Sequence, residues 1–256
     1  MFPVRTTAPR RRTPVVVLSL IGANAAVFFW QLALPPDLAF LSALEWGLVP
    51  LRYTDPGWAA SVGLAPGNRI PFVTSAFLHG GWLHILVNMW TLWLFGGAVE
   101  DRMGRIRFTA FYLAGGIAAA AAHIWVNPDS PVPVVGASGA IAAVMGAHVV
   151  LFPGSRVLLL IPILFIPLFV PVGALVYAGI WFAIQVAQGA GALLSPELPG
   201  GVAWWAHIGG FVGGLATARL VAPPPPPSGT GIRLPPSGGP GSGPRPGPQA
   251  GPWGRR

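Results

Sequence analysis

"PVVGASGAIAAV", residues 133–144, sets a single hydroxyl, that of Ser138, among glycine and alanine at the head of an apolar run. The proline and glycine before it form turns, and the next breaker is Pro153, so the pattern predicts a helix over 138–152. A helix start leaves its first backbone N–H groups unpaired, and Gly136, Ala137 and Gly139 leave room for another backbone to approach. Serine in such a place is either a close-packing residue or a nucleophile. Its surroundings must decide.

Those surroundings are membrane-like. Of 256 residues, 53% are hydrophobic and 9% charged, and the mean hydropathy is +0.64, more apolar than a water-soluble domain. Cysteine is absent, which excludes disulfides, thiolate catalysis and cysteine-bound metal. The net charge of +8 is carried by arginine alone. These arginines do not cluster with aromatics on a soluble face, so no nucleic-acid partner is expected.

Three further runs, 14–34, 82–99 and 108–126, have the length a bilayer crossing requires. The stretch 157–194 cannot be one straight helix, because Pro162, Pro167 and Pro171 each remove a backbone donor. It reads as an irregular or interfacial segment followed by a fifth span at 171–189. Residues 202–221 form the sixth. Thirteen of the fifteen arginines then fall on the side of both termini, leaving Arg52 and Arg69 opposite, so the positive-inside rule puts both ends in the cytoplasm.

The expectation is an all-α membrane protein: a six-helix bundle over 14–222, an Arg-rich cytoplasmic N-terminus at 1–13, and a disordered Pro/Gly-rich cytoplasmic tail at 223–256. The first apolar run is too long for a cleaved signal peptide and is expected to be retained. The external connection 35–81 is long enough to carry short helices of its own. An arginine-only, Ala/Gly/Pro-heavy composition matches a GC-rich bacterial genome, hence a bacterial inner membrane.

Polar side chains inside spans are costly and mark function. Span two enters from the external face, so His84 and Asn88, four residues apart, share a helix face within its first two turns. Span four starts at Ser138, and His207 lies within about two turns of the outer end of span six, at 1.5 Å per residue. Four polar groups therefore meet at one depth. A serine hydroxyl needs a base to become nucleophilic, and histidine suits that exchange. With no carboxylate in spans four or six, Ser138 and His207 form a dyad rather than a triad. The Ser138 backbone N–H, Asn88 and His84 are the candidate donors to an oxyanion. His123 and His148 lack such company and read as structural, and a histidine-bound metal ranks below the dyad. No cofactor is expected.

"FLHGGWLHILVNMWTLWLFGGAVEDRMG" at 77–104, "GASGA" at 136–140 and "AHIGGFVGG" at 206–214 resemble, in order and topology, the motifs of the rhomboid intramembrane serine proteases. The resemblance covers residues 69–222. It implies Ser138 as nucleophile, His207 as general base and then acid, and His84 with Asn88 as oxyanion donors. It also implies Glu100 as support for the turn after span two, and membrane proteins, cut in or near their transmembrane segments at small residues with helix-breakers beyond, as substrates. Two positions depart from the family pattern. Ile70 and Pro71 stand where many members have Trp-Arg, which leaves the loop's anchoring to other residues, and Ala142 stands where many place an aromatic against the catalytic histidine. Spans two and five would flank a lateral entry, with Trp181 a gate residue or an interfacial anchor.

Two other readings remain open at this point. A rhomboid-like protein could bind membrane substrates without cutting them, and a small transporter could use His84 and His207 as a proton relay. The absence of an internal inverted repeat weakens the transporter.

Overall fold

The computed structural model describes residues 2–163, 166–194 and 202–224. Most of the expected tail, from residue 225 onward, lies outside the described residues. In chain order the elements are β1 (Phe2–Thr6), α1 (Val15–Ala33), α2 (Pro36–Trp46), α3 (Leu51–Thr54), α4 (Pro56–Ser61) and α5 (Pro71–Thr74), the last continuing into a 3₁₀ turn at Ser75–Phe77. Then come α6 (Trp82–Thr91), a π-helical turn at Leu92–Gly96, α7 (Gly97–Met103), α8 (Arg105–Val126), α9 (Ser138–Leu151), β2 (Arg156–Ile163), β3 (Ile166–Gly173), α10 (Ala174–Leu194) and α11 (Trp204–Val221).

The core is built around α9, in which every residue from Ala140 to Val149 is buried. A helix enclosed on all sides has to be apolar on all sides, and from Ala140 to Val149 this one is, apart from His148. The outer helices are the reverse: only 17% of the apolar window of α1 and 22% of that of α10 is buried within the protein. Their exposed leucines, isoleucines and aromatics need hydrocarbon around them, and the chain is an integral membrane protein. Among the described residues four helices are long and apolar enough to cross a bilayer: Val15–Ala33, Trp82–Met103, Arg105–Val126 and Ala174–Leu194. The apolar helix Ser138–Leu151 is shorter.

Glycine sets the approach of α11 to α9. A Cβ at Gly210 would collide with the Gly139 carbonyl, and one at Gly214 with the Ala143 carbonyl, so the small-xxx-small pair is a packing device here. Because Gly210 touches the residue after Ser138, His207, one turn earlier on α11, is carried to Ser138.

The chain is mostly helical, with one correction to the all-α bundle expected from sequence. Of the stretch anticipated as irregular or interfacial, 157–163 and 166–170 pair as the antiparallel strands of a hairpin, extended by Arg156 and by 171–173 from the expected start of the fifth span, in register from Arg156↔Gly173 to Ile163↔Ile166. The N-terminal strand Phe2–Thr6, inside the Arg-rich segment 1–13, pairs with the other edge of β2 to give a sheet of order β1-β2-β3. The prolines do break the helix, yet a strand accommodates them. Pro167 and Pro171 lie on the edge strand β3, and Pro162 lies beyond the last partner of β1, Leu160. The sheet sits past the C-terminal end of α9, about 20 Å from Ser138 at 1.5 Å per residue. His148 joins it to the bundle: its Nε2 is 3.2 Å from the Ser155 hydroxyl and 3.5 Å from that of Thr6.

At the same end, Glu100 accepts the backbone N–H groups of Val16 (3.0 Å) and Val17 (2.9 Å). Helix α1 follows Pro14 and has no side-chain cap of its own, so a carboxylate from α7 fills that role.

The connection 35–81 carries the short helices expected of it and is organised around Arg52, which is fully buried. Its guanidinium donates to the Ala65 carbonyl (3.0 Å), the Glu45 carbonyl (2.9 Å) and the Glu45 carboxylate (3.2 Å). This residue anchors the loop where the family's Trp-Arg pair is missing. Leu48 and Val134 exchange backbone hydrogen bonds, tying the loop to the segment that leads into α9.

Candidate active site

Four of the sequence-singled residues come together. Ser138 opens α9 with no side chain capping that helix, so its first-turn N–H groups have no side-chain acceptor. The turn before it is made by Gly136, whose φ of +121° suits glycine and whose N–H donates to the Ser75 carbonyl at 2.8 Å. Across the gap, His207 of α11 places Nε2 2.7 Å from the Ser138 Oγ. Both side chains are only partly buried, which leaves the pair approachable.

His84 and Asn88 of α6 face the same turn. A Cβ built on Gly136 would lie 2.6 Å from His84 Nε2 and 3.4 Å from Asn88 Nδ2, so the missing side chain of Gly136 leaves the space into which both point. The N–H of Gly80 approaches His84 Nδ1 at 3.4 Å, a long contact that favours Nδ1 as acceptor and the proton on Nε2. Asn88 is buried, and its Nδ2 has no protein acceptor among the described residues. A buried donor left unpaired costs about 1–3 kcal/mol, a cost that a transient negative oxygen would remove.

Three residues were not anticipated from sequence. Gln185 of α10 sets its Oε1 2.7 Å from His207 Nδ1, giving the imidazole a second partner where the sequence reading stopped at a dyad. Trp204 packs edge-on to the His207 ring, with centroids 6.2 Å apart. His79 lies against His84 with ring centroids 5.1 Å apart; burial first, and the neighbouring His84 second, hold its pKa down to about 4. A lone amide in the middle of an apolar span was the one visible signal for Gln185. His79 and Trp204 carry no such mark, though their ring partners, His84 and His207, lie only five and three positions away.

Trp181, expected as a gate or interfacial anchor, sits 6.0 Å from the His207 ring and 5.8 Å from Phe211. With Trp204 it supplies the ring packing that Ala142 does not. His148 stays with the sheet, as its structural reading implied, and His123 is buried in α8.

With this geometry in hand, the comparison with known proteins is decisive: residues 66–224, more than half of the chain, match the Rhomboid domain family. The chain belongs to the rhomboid family. Over 151 residues this rhomboid is 31% identical to Rhomboid protein 1, mitochondrial, of Saccharomyces cerevisiae, covering 57% of this chain and 39% of that protein. It is 31% identical over 161 residues to Rhomboid protease GluP of Bacillus subtilis, covering 63% and 28%. With the Presenilin-associated rhomboid-like protein, mitochondrial, of Mus musculus it shares 26% identity over 208 residues, covering 78% and 46%. The chain thus spans less than half the length of each of these relatives. Both bacterial and mitochondrial proteins are among them.

Proposed function

We propose that this rhomboid is an intramembrane serine endopeptidase that cuts transmembrane proteins in or near their membrane-spanning segments. The observation that carries the reading is the 2.7 Å contact between Ser138 Oγ and His207 Nε2 within a largely apolar bundle. The likeness to a protein named as a rhomboid protease supports it.

In this reading Ser138 Oγ–H donates to His207 Nε2, and as that proton moves, Oγ attacks the scissile carbonyl carbon. Negative charge gathers on the carbonyl oxygen. His84 Nε2–H, Asn88 Nδ2–H and the Ser138 backbone N–H are placed to donate to it. His207, now an imidazolium, gives its proton to the leaving amine, and an acyl-enzyme remains on Ser138. A water then gives a proton to His207 and attacks the ester carbon, and His207 passes that proton to the departing Oγ as the acid is released, restoring Ser138. Helical substrate hides its carbonyls in backbone hydrogen bonds, so unwinding must come before attack.

The same reading takes six helices across a bacterial inner membrane, both termini in the cytoplasm and Ser138 toward the external face. The N-terminal segment 1–13 and the tail 223–256 flank the catalytic domain 14–222. Cleavage by Ser138 and His207 needs no metal or organic cofactor.

The test is incubation of the purified protein in detergent with a transmembrane reporter. Cleavage by the natural sequence that disappears in Ser138→Ala and in His207→Ala supports the assignment. Undiminished cleavage by Ser138→Ala refutes it, and reporter binding without any cleavage by the natural sequence makes the protein a non-cutting binder.

A further inference from the structure

The contact between His207 and Gln185 has a direction. Gln185 Nε2 donates to the Trp181 carbonyl, one turn back on α10, at 3.2 Å. A backbone carbonyl only accepts, so the –NH₂ of the amide must face Trp181 and the oxygen must face His207. An amide oxygen also only accepts. The ring nitrogen 2.7 Å away, Nδ1, must therefore carry the imidazole proton. Nε2 is left with its lone pair, aimed at Ser138 Oγ, also at 2.7 Å.

We propose that Gln185 is the positioning residue of this active site: it selects the Nδ1–H tautomer of His207 and so makes Nε2 the base. This rests on the protease reading above. The chain Trp181 C=O, Gln185 amide, His207 imidazole, Ser138 hydroxyl runs one way only, because its first member has no proton to give. Burial protects it: Gln185 is 5% exposed, and Trp181 covers one side of the His207 ring. Gln185 holds the tautomer as a carboxylate would, but without a negative charge. The imidazolium formed during attack is then not stabilised as a buried salt bridge, and it gives its proton readily to the leaving amine.

The charge difference is measurable. In Gln185→Glu, which has the same shape, a carboxylate beside the imidazole favours its protonated form. The base must be neutral to work, so the acidic limb of the kcat–pH profile moves to higher pH by about one unit or more, with activity retained above it. In Gln185→Met, of similar length but with no competent acceptor, the tautomer is no longer selected. There kcat falls roughly tenfold or more with KM little changed, and the ¹⁵N resonances of His207 show Nε2–H appearing beside Nδ1–H.

The experiment measures reporter cleavage against pH for the natural protein, Gln185→Glu, Gln185→Met and Ser138→Ala, with thermal melting in detergent to confirm folding. A shifted limb in the first variant and a lowered kcat in the second support the proposal. Natural kcat and pH profile in both, with Ser138→Ala inactive, overturn it while sparing the protease reading. Activity remaining in Ser138→Ala is instead the failure of the protease reading itself. Should Gln185→Met not fold, the Gln185→Glu profile decides alone.

Discussion

Gly136 donates its backbone N–H to the Ser75 carbonyl at 2.8 Å, and that one bond joins the end of the 35–81 connection to the turn that presents Ser138. With the Leu48–Val134 pairing it makes the loop a support for the site, and it holds Gly136 where His84 and Asn88 converge. Gly136→Ala should therefore fail twice, once on its φ of +121° and once on a Cβ 2.6 Å from His84 Nε2. Reporter cleavage by this variant is expected to drop by about two orders of magnitude, the scale of a lost oxyanion donor. The folded protein should survive mild detergent, as gel filtration would show.

Removing the proposed oxyanion donors should separate chemistry from binding. Asn88→Ala and His84→Ala should each lower kcat by about 10²-fold with little change in KM, because the donors engage charge that exists only in the transition state. Steady-state kinetics on a soluble or detergent-dispersed substrate reads this. A change confined to KM would count against the role.

Glu100 is a structural carboxylate, and its loss should show in stability rather than in catalysis. Glu100→Ala leaves the Val16 and Val17 N–H groups without their acceptor and should cost about 3 kcal/mol, from two charge-assisted hydrogen bonds. Glu100→Gln keeps one acceptor and sets an –NH₂ against the other N–H, so it should fall between. Thermal or SDS unfolding of the three proteins checks the order.

His79 predicts a pH dependence. Its folded pKa, held near 4, lies below the 6.5 of an unfolded chain, so between those values the unfolded state takes up the proton and the folded state does not. Its contribution is present in full above about pH 6.5 and is lost as pH falls toward 4. Melting temperatures across that window should decline more steeply for the natural protein than for His79→Leu.

How much of this was legible beforehand follows from the range of the signals. Hydropathy and breakers are local, and they located α1, the run from α6 through α7, α8, α9 and α11 within four residues and α10 within five. Ser138, His207, His84 and Asn88 could be grouped because topology alone assigns each a depth. Gln185 could not, since its meaning comes from a nitrogen 22 positions away on another helix. Arg52 read as a topology exception, and only its burial against Glu45 shows it holding the loop. The hairpin was hidden by its prolines. Yet buried Val157 and Leu159 alternate with more exposed Arg156 and Leu158, a period of two that argues for a strand.

The central claim, that Ser138 is a nucleophile made reactive by His207, is tested most directly by covalent labelling. The purified protein is treated with a fluorophosphonate, and the modified residue is located by mass spectrometry. The adduct should sit on Ser138 alone and disappear in His207→Ala. An adduct elsewhere, or Ser138 labelling that survives loss of His207 undiminished, would contradict the account.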